Sequence, residues 1–300
     1  MKIIEDPLQE RAPIEAVISK YGYTPDHNFD WLTYCSDEGR PQVAWWDNGA
    51  IWFYKNTDKK ECTIVSDPIA PPKIYPQLLA DLVKHLFGSG TNRILFLDVR
   101  EKVHDFCRTG KLGEYKFYYD IDWPVVDMEL FDPELPGGKF KDIRNALSKF
   151  EREHRIEIKP VALVDKKQIH GIVDQWFVNR KEAGIEELYP VRYHNMIDGG
   201  FRGVTSARVM IADSNPVGFN GGWETPNTTG EWSAAIGLHD FSIKDLGVAL
   251  LMEDLRWIKD AGYKFCDLEG SDPPALRFKT QFFPAGYKSY KTYTFWLNKK

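Results

Sequence analysis

The sequence predicts an α/β chain of the α+β type in which one strand–helix–strand unit occurs twice, and three observations carry that reading. Residues 231–268 read as an apolar strand, a helix opened by glycine and a second apolar strand. Residues 42–121 repeat the succession of strands, helix, strand, helix and strand. Between the copies, residues 120–136 hold six carboxylates and three prolines with no Lys or Arg, which marks a connector. The expectation is therefore two domains, 1–134 and 135–300, with the functional site in the second.

In chain order, residues 7–21 place Leu8, Ile14, Val17 and Ile18 among good helix formers, an opening helix that ends at Tyr21-Gly22. Aromatic and β-branched runs at 31–34, 42–46 and 50–54 are expected strands, the last two joined through Asp47-Asn48-Gly49 as a hairpin. Residues 62–65 form the next strand, and the prolines of 66–72 bar helix until Lys73. Leu78, Leu79, Leu82, Val83 and Leu86 recur three and four apart, so 75–87 is an amphipathic helix that Gly88 ends. A strand at 93–98, a helix at 101–107 and a strand at 116–121 complete the first copy. The loop ahead of its central helix has prolines where a phosphate cradle needs glycine, which leaves this copy a structural or acceptor-binding role.

The second copy opens with a helix over 138–154, where Phe140, Ile143, Leu147 and Phe150 share one face. Lys141, Arg144, Ser148, Arg152 and Arg155 share a neighbouring strip roughly 80° wide at about 100° per residue. Such a strip suits a nucleic-acid phosphate backbone, while Glu151 and Glu153 equally allow a solvated face. A strand at 156–163 and a helix at 166–183 follow, the helix turning Ile169, Ile172, Val173, Trp176 and Phe177 inward. Residues 184–203 read as irregular, either an acceptor-receiving segment or a surface loop. A meander at 205–211, 217–223 and 231–238 leads to a helix marked by Val248, Leu251, Met252, Leu255 and Ile258, and 263–269 alternates as a strand.

The start of that helix, Lys244-Asp245-Leu246-Gly247-Val248-Ala249, resembles the pyrophosphate loop of GNAT-type acyltransferases. Glycine lets backbone approach a phosphate there and the helix dipole favours its charge; a purely structural glycine is the alternative. The flanks add to the resemblance. Leu268-Glu269-Gly270, then Leu276-Arg277-Phe278-Lys279-Thr280-Gln281-Phe282-Phe283-Pro284, Tyr287 and Tyr290 are similar to the end of the phosphatidylglycerol lysyltransferase C-terminal family (DUF2156-like). Upstream, Lys141-Asp142-Ile143-Arg144-Asn145-Ala146-Leu147-Ser148-Lys149-Phe150-Glu151-Arg152-Glu153 resembles a basic helix of the same family.

This resemblance implies two tandem acyl-CoA N-acyltransferase (GNAT-like) domains, each a mixed, mainly antiparallel sheet flanked by helices. It implies an aminoacyltransferase that moves an aminoacyl group from aminoacyl-tRNA, a co-substrate rather than a permanently bound cofactor, to an amine or hydroxyl on a small-molecule, peptide or lipid acceptor. An acetyl-CoA-dependent N-acetyltransferase and a non-catalytic binding protein are the alternatives. The family's full-length lysyltransferases carry a large membrane domain; no such segment is expected here, so a phospholipid acceptor is not carried over.

Aminoacyl transfer needs a neutral nucleophile near the carbonyl, donors for the oxyanion and a proton for the leaving oxygen. For the donor and its phosphates the sequence offers Lys244, Gly247 and Ala249 at the helix start and the strand end at Leu238 and His239. Lys279 matches a basic position of the family, for the oxyanion or a phosphate, or is a surface lysine. Tyr287 and Tyr290 are candidate acids or core tyrosines, and Asp267 and Glu269 either bind the donor's ammonium, accept a proton or brace the neighbouring loop. Lys141, Arg144, Arg152 and Arg155 are the expected tRNA-binding residues.

Composition bounds these readings. With 43% apolar and 14% aromatic residues, 300 residues build a sizeable core, and a net charge of -5 restricts any nucleic-acid contact to a local patch. Cys35, Cys62, Cys107 and Cys266 are far apart, without metal or disulfide spacing, and read as reduced thiols. The histidines show no metal-binding spacing, and neither a Gly-x-Ser-x-Gly elbow nor a Walker loop occurs. With no signal-peptide or membrane-spanning run, a cytoplasmic protein is expected.

Overall fold

A computed structural model describes residues 1–35, 39–184 and 189–300. The chain forms two compact units, one of residues 1–123, 225–228 and 289–300 and the other of residues 124–224 and 229–288. The composition shift suggests a boundary at 134, whereas the chain passes between units at Trp123 and Pro124 and its last strand returns to the first unit. That strand is committed by pairing: Phe295 and Leu297 are buried in the first core and the strand bonds along residues 93–100.

The first unit contains β1 (Lys2–Ile4), α1 (Arg11–Tyr21), α2 (Phe29–Tyr34), β2 (Arg40–Trp46), β3 (Gly49–Asn56), β4 (Glu61–Val65), α3 (Tyr75–Gly88), β5 (Arg93–Arg100) and α4 (Glu101–Cys107). β1 to β4 pair antiparallel in succession and β4 pairs parallel with β5. Five apolar residues of α3 that recur at helical spacing are all at most 2% exposed, which is the stripe the sequence marks. Residues 31–34 are helix rather than strand, because Asn28 accepts the Trp31 N–H at 3.1 Å and caps α2. A good N-cap outweighs the β preference of so short an aromatic run.

β6 (Glu114–Asp127) runs further than the strand expected at 116–121 and takes up the first part of the acidic connector. Its Trp123 and Val126 are buried, and Val125, Val126 and Asp127 pair with a strand of the second unit's sheet. The second unit continues with α5 (Lys141–Glu153), β7 (Ile156–Pro160), α6 (Lys166–Glu182), α7 (Pro190–Asp198), β8 (Ser206–Ala212), β9 (Asn215–Glu224), β10 (Glu231–His239), α8 (Leu246–Asp260), β11 (Phe265–Asp267) and α9 (Pro273–Thr280). β12 (Lys288–Asn298) ends the chain. β7 to β10 are antiparallel neighbours, and β10 pairs parallel with β11 across the α8 crossover. Each unit thus repeats an antiparallel meander closed by one parallel pair around a helix, as the repeat in the sequence implies.

Two further readings change. α7 lies inside the segment expected to be irregular, opened by Pro190 at its first turn where a missing N–H costs nothing; residues 185–188 of that segment lie outside the described residues. The buried face of α8 is Leu246, Ala249, Leu250, Met252, Asp254, Leu255 and Ile258, so the stripe is rotated from the one containing Val248 and Leu251. The rotation brings Asp254 inward to Arg208, whose Nη2 donates to it at 2.7 Å while Nε donates to Glu253 at 2.8 Å.

Candidate functional site

β10 and β11 pair over three residues only, ending at Ser233 opposite Asp267. β10 then continues to His239 while β11 stops, so the parallel pairing ends and the two strands part at their carboxyl ends. Open α/β sheets bind ligands at that kind of position. β10 also bulges there: from Ser233 to Ile236 it advances three residues while β9 advances two, Trp223 to Gly221. The bulge withdraws residues 234–235 from the ladder with β9, and the Ala234 backbone turns to Cys266 of β11. Glycine opposite is required, since a Cβ on Gly222 would meet the Ser233 carbonyl oxygen at 2.1 Å.

The end of β10 meets the start of α8. A Cβ on Gly247 would lie 2.9 Å from His239 Nε2 and 3.6 Å from Phe278 Cζ, so this glycine lets β10, α8 and α9 close together. Burial pushes the His239 imidazole down to about 4, with nearby Arg180 acting in the same direction and Asp240 against it, so the ring is neutral at pH 7. The ring stacks on Phe241 with centroids 4.2 Å apart. Near the α8 N-terminus, Asp240 accepts the Ser242 N–H at 2.8 Å and the Asn179 amide at 3.0 Å, and Asp272 is the carboxylate that acts on Arg180. Arg180 Nε is buried without a hydrogen-bond partner among the described residues.

The end of β11 holds the carboxylates. Asp267 is fully buried and accepts the Glu269 N–H at 2.8 Å, which fixes Glu269 in the left-handed region at φ 64°. Such a backbone state in a residue other than glycine is a strain that surrounding contacts must hold. Ser233 Oγ donates to Glu269 Oε1 at 2.5 Å, tying the two parting strands. Lys279 on α9 reaches back to the carbonyls of Leu268 and Glu269, the latter at 3.4 Å. Burial lowers its pKa, against the pull of Glu269, Asp267 and Cys266.

Of the residues singled out in sequence, Asp267, Glu269 and Lys279 therefore come together at the β11 end, and His239 and Gly247 meet at the α8 start. Leu238 and Ala249 are buried in the core and offer backbone only, and Lys244 is exposed. Tyr287 is 42% exposed and Tyr290 belongs to the first unit, where its ring stacks on Trp123. Lys141 and Arg152 on α5 are exposed, and Arg155 is exposed beyond the helix, which ends at Glu153, so it does not continue the expected strip; Arg144 is turned to the carbonyls of Leu135 and Gly137 and serves the loop before the helix. Sequence reasoning missed Ser233 and Arg180, whose relevance arises from strand pairing and packing. Among the described residues no helix is long and apolar enough to cross a membrane.

Solved structures share this fold. The C-terminal domain (DUF2156) of a putative lysylphosphatidylglycerol synthetase from Agrobacterium fabrum superposes with a TM-score of 0.66 at 15% identity, over 98% of this chain and 92% of that one. The L-PGS structure from Bacillus licheniformis gives 0.67 at 16% identity, over 100% and 94%. A tandem GNAT protein from the clavulanic acid biosynthesis pathway gives 0.59 at 9% identity, over 98% and 97%. No curated protein matches the chain. The family model described as "Phosphatidylglycerol lysyltransferase, C-terminal" matches residues 21–273. With most of its length matched and the tandem GNAT fold in common, the chain belongs to the phosphatidylglycerol lysyltransferase C-terminal family.

Proposed function

We propose that this protein is an acyltransferase that takes an aminoacyl group from aminoacyl-tRNA and passes it to an amine or hydroxyl acceptor. The observation that carries the reading is the place where β10 and β11 part, with a bulge on one strand and a carboxylate fixed at the end of the other. Family membership supports the reaction class. The exposed Lys141 and Arg152 of α5, with the exposed Arg155 just after it, supply local positive charge for a phosphate backbone.

In this reading the ester carbonyl of the donor lies along the bulged β10, where backbone N–H groups stabilise the oxyanion. The acceptor nitrogen or oxygen attacks, a bond to the carbonyl carbon forms and the bond to the ribose oxygen breaks. Glu269 takes the proton from the nucleophile and returns it to that oxygen, with Asp267, Ser233 and Lys279 holding Glu269 in place. Lys279 is thus a positioning residue, since two backbone carbonyls already receive its ammonium.

The test is release of labelled amino acids from charged tRNA in the presence of mixed amine, peptide and phospholipid acceptors. Acceptor-dependent transfer that falls about 100-fold or more in Glu269→Gln, the loss of one general base, supports the assignment. Label that leaves tRNA no faster than in buffer contradicts it.

A further inference from the structure

The first unit has its own parting pair of parallel strands, and a cavity of about 570 Å3 lies there. β4 and β5 are in register up to Val65 opposite Leu97, and the Ser66 N–H still reaches the Leu97 carbonyl at 3.0 Å. Beyond that point the chains separate, Asp67 leaving from one strand and Arg100 ending the other. Both line the cavity with Tyr23, Tyr75, Tyr290 and Tyr293. Its size falls within the range of small-molecule sites, and its place at the carboxyl ends of parallel strands is where sheets of this class receive ligands.

The walls decide what class of ligand fits. The Arg100 guanidinium lies 3.9 Å from the Tyr290 ring centre and 5.2 Å from that of Tyr23. An aromatic cage with an acid at its floor suits a cation, but here the protein's own cation fills that position. Asp67 is engaged as well: it is 2% exposed, accepts the Arg100 backbone N–H at 2.9 Å and accepts the Tyr23 hydroxyl. A guanidinium carries five donors in a planar fork that matches a carboxylate, so an anion is the complementary guest. A polyphosphate is disfavoured, because Pro71, Pro72 and Pro76 strip N–H donors from the approach to α3 and its first turn, and Asp67 repels multiple charge. Glu101 and Lys102 both line the cavity and balance in charge, while Lys291 is held by Asp120 at 2.5 Å. The tyrosine rings offer flat apolar surface, and that of Tyr293 is held in place by stacking on His104 with centroids 4.1 Å apart.

We infer that the first unit carries a second ligand site, at the end of its parallel strand pair, for a small monocarboxylate with a planar aromatic body that docks on Arg100 and lies against the tyrosines. This site does not depend on the transferase reading of the other unit.

Equilibrium titration of the full chain with benzoate, benzylamine and inorganic pyrophosphate tests it. Saturable binding is expected for benzoate and not for the other two. Arg100→Leu should weaken benzoate about tenfold, the loss of a charge-assisted hydrogen bond, with the far-ultraviolet circular dichroism unchanged. If that variant fails to fold, Tyr290→Leu, which removes only the ring beneath the guanidinium, should still weaken benzoate several-fold. Three results overturn the inference: no saturable binding of benzoate, binding of benzylamine or pyrophosphate at least as tight, or benzoate binding that a folded variant leaves unchanged.

Discussion

Arg208 illustrates how a single buried charge organises the second unit. Its guanidinium, 11% exposed, binds Asp254 and Glu253 and lies 4.4 Å from the Trp257 ring centre. Burial pushes Asp254 up to about 7 against the opposing pull of Arg208, so removing the cation leaves carboxylates without compensation. Arg208→Met is expected to cost about 3–5 kcal/mol in urea unfolding, and a change under about 1 kcal/mol would show that the network carries little. His239 gives a pH signature. Its folded pKa of about 4 lies below the unfolded 6.5, so the unfolded chain takes up the proton first as pH falls. Stability therefore drops from about pH 6.5 to about pH 4, by at most about 3 kcal/mol from this group, and no further below. His27, pushed down to about 3 by full burial, acts with the same sign. His239→Gln should flatten the fall between pH 6.5 and 4 in denaturant titrations while leaving the His27 part; an unchanged slope would mean that the ring is solvated or charged in the folded state.

At the scale of elements, the β10 bulge depends on Gly222. Gly222→Ala forces a Cβ against backbone oxygen at 2.1 Å, which no rotamer change relieves. The expected loss is about 1–3 kcal/mol, together with weakened donor binding; thermal unfolding at the wild-type temperature would disprove the close approach. Helices α3 and α5 were legible in the sequence because apolar spacing alone decides which face is buried. α2 and α7 were not, since a cap and a proline at the first turn overrode composition. The end of β6 was read as a connector because the carboxylates and Pro124 obscured the buried Trp123 and Val126 among them. In the site, Asp267, Glu269 and Lys279 could be grouped from one short stretch of chain. Ser233, Arg180 and the contact of His239 with Gly247 depend on register and packing, which spacing along the chain does not encode. Arg144 was misleading for a related reason: helical periodicity put it in the basic strip, but the loop carbonyls before α5 claimed it.

For the whole molecule, a net charge of -5 means that tRNA binding has to be local. With Lys141 and Arg152 on α5 and Arg155 just after it as the contacting cations, the logarithm of affinity should fall with the logarithm of salt at a slope of roughly -2 to -3. Arg152→Glu with Arg155→Glu should reduce both the affinity and the slope, without changing thermal stability. Because the two units share one plan but differ where their parallel strands part, donor binding should respond to changes at Gly247 and not to changes at Arg100. The most direct measurement is an equilibrium titration of the intact chain with aminoacylated tRNA and with acetyl-CoA, side by side at moderate salt. The account predicts saturable, salt-sensitive binding of aminoacyl-tRNA that Gly247→Trp abolishes, and much weaker binding of acetyl-CoA. Tight acetyl-CoA binding at the same Gly247-dependent site, with charged tRNA ignored, would contradict it.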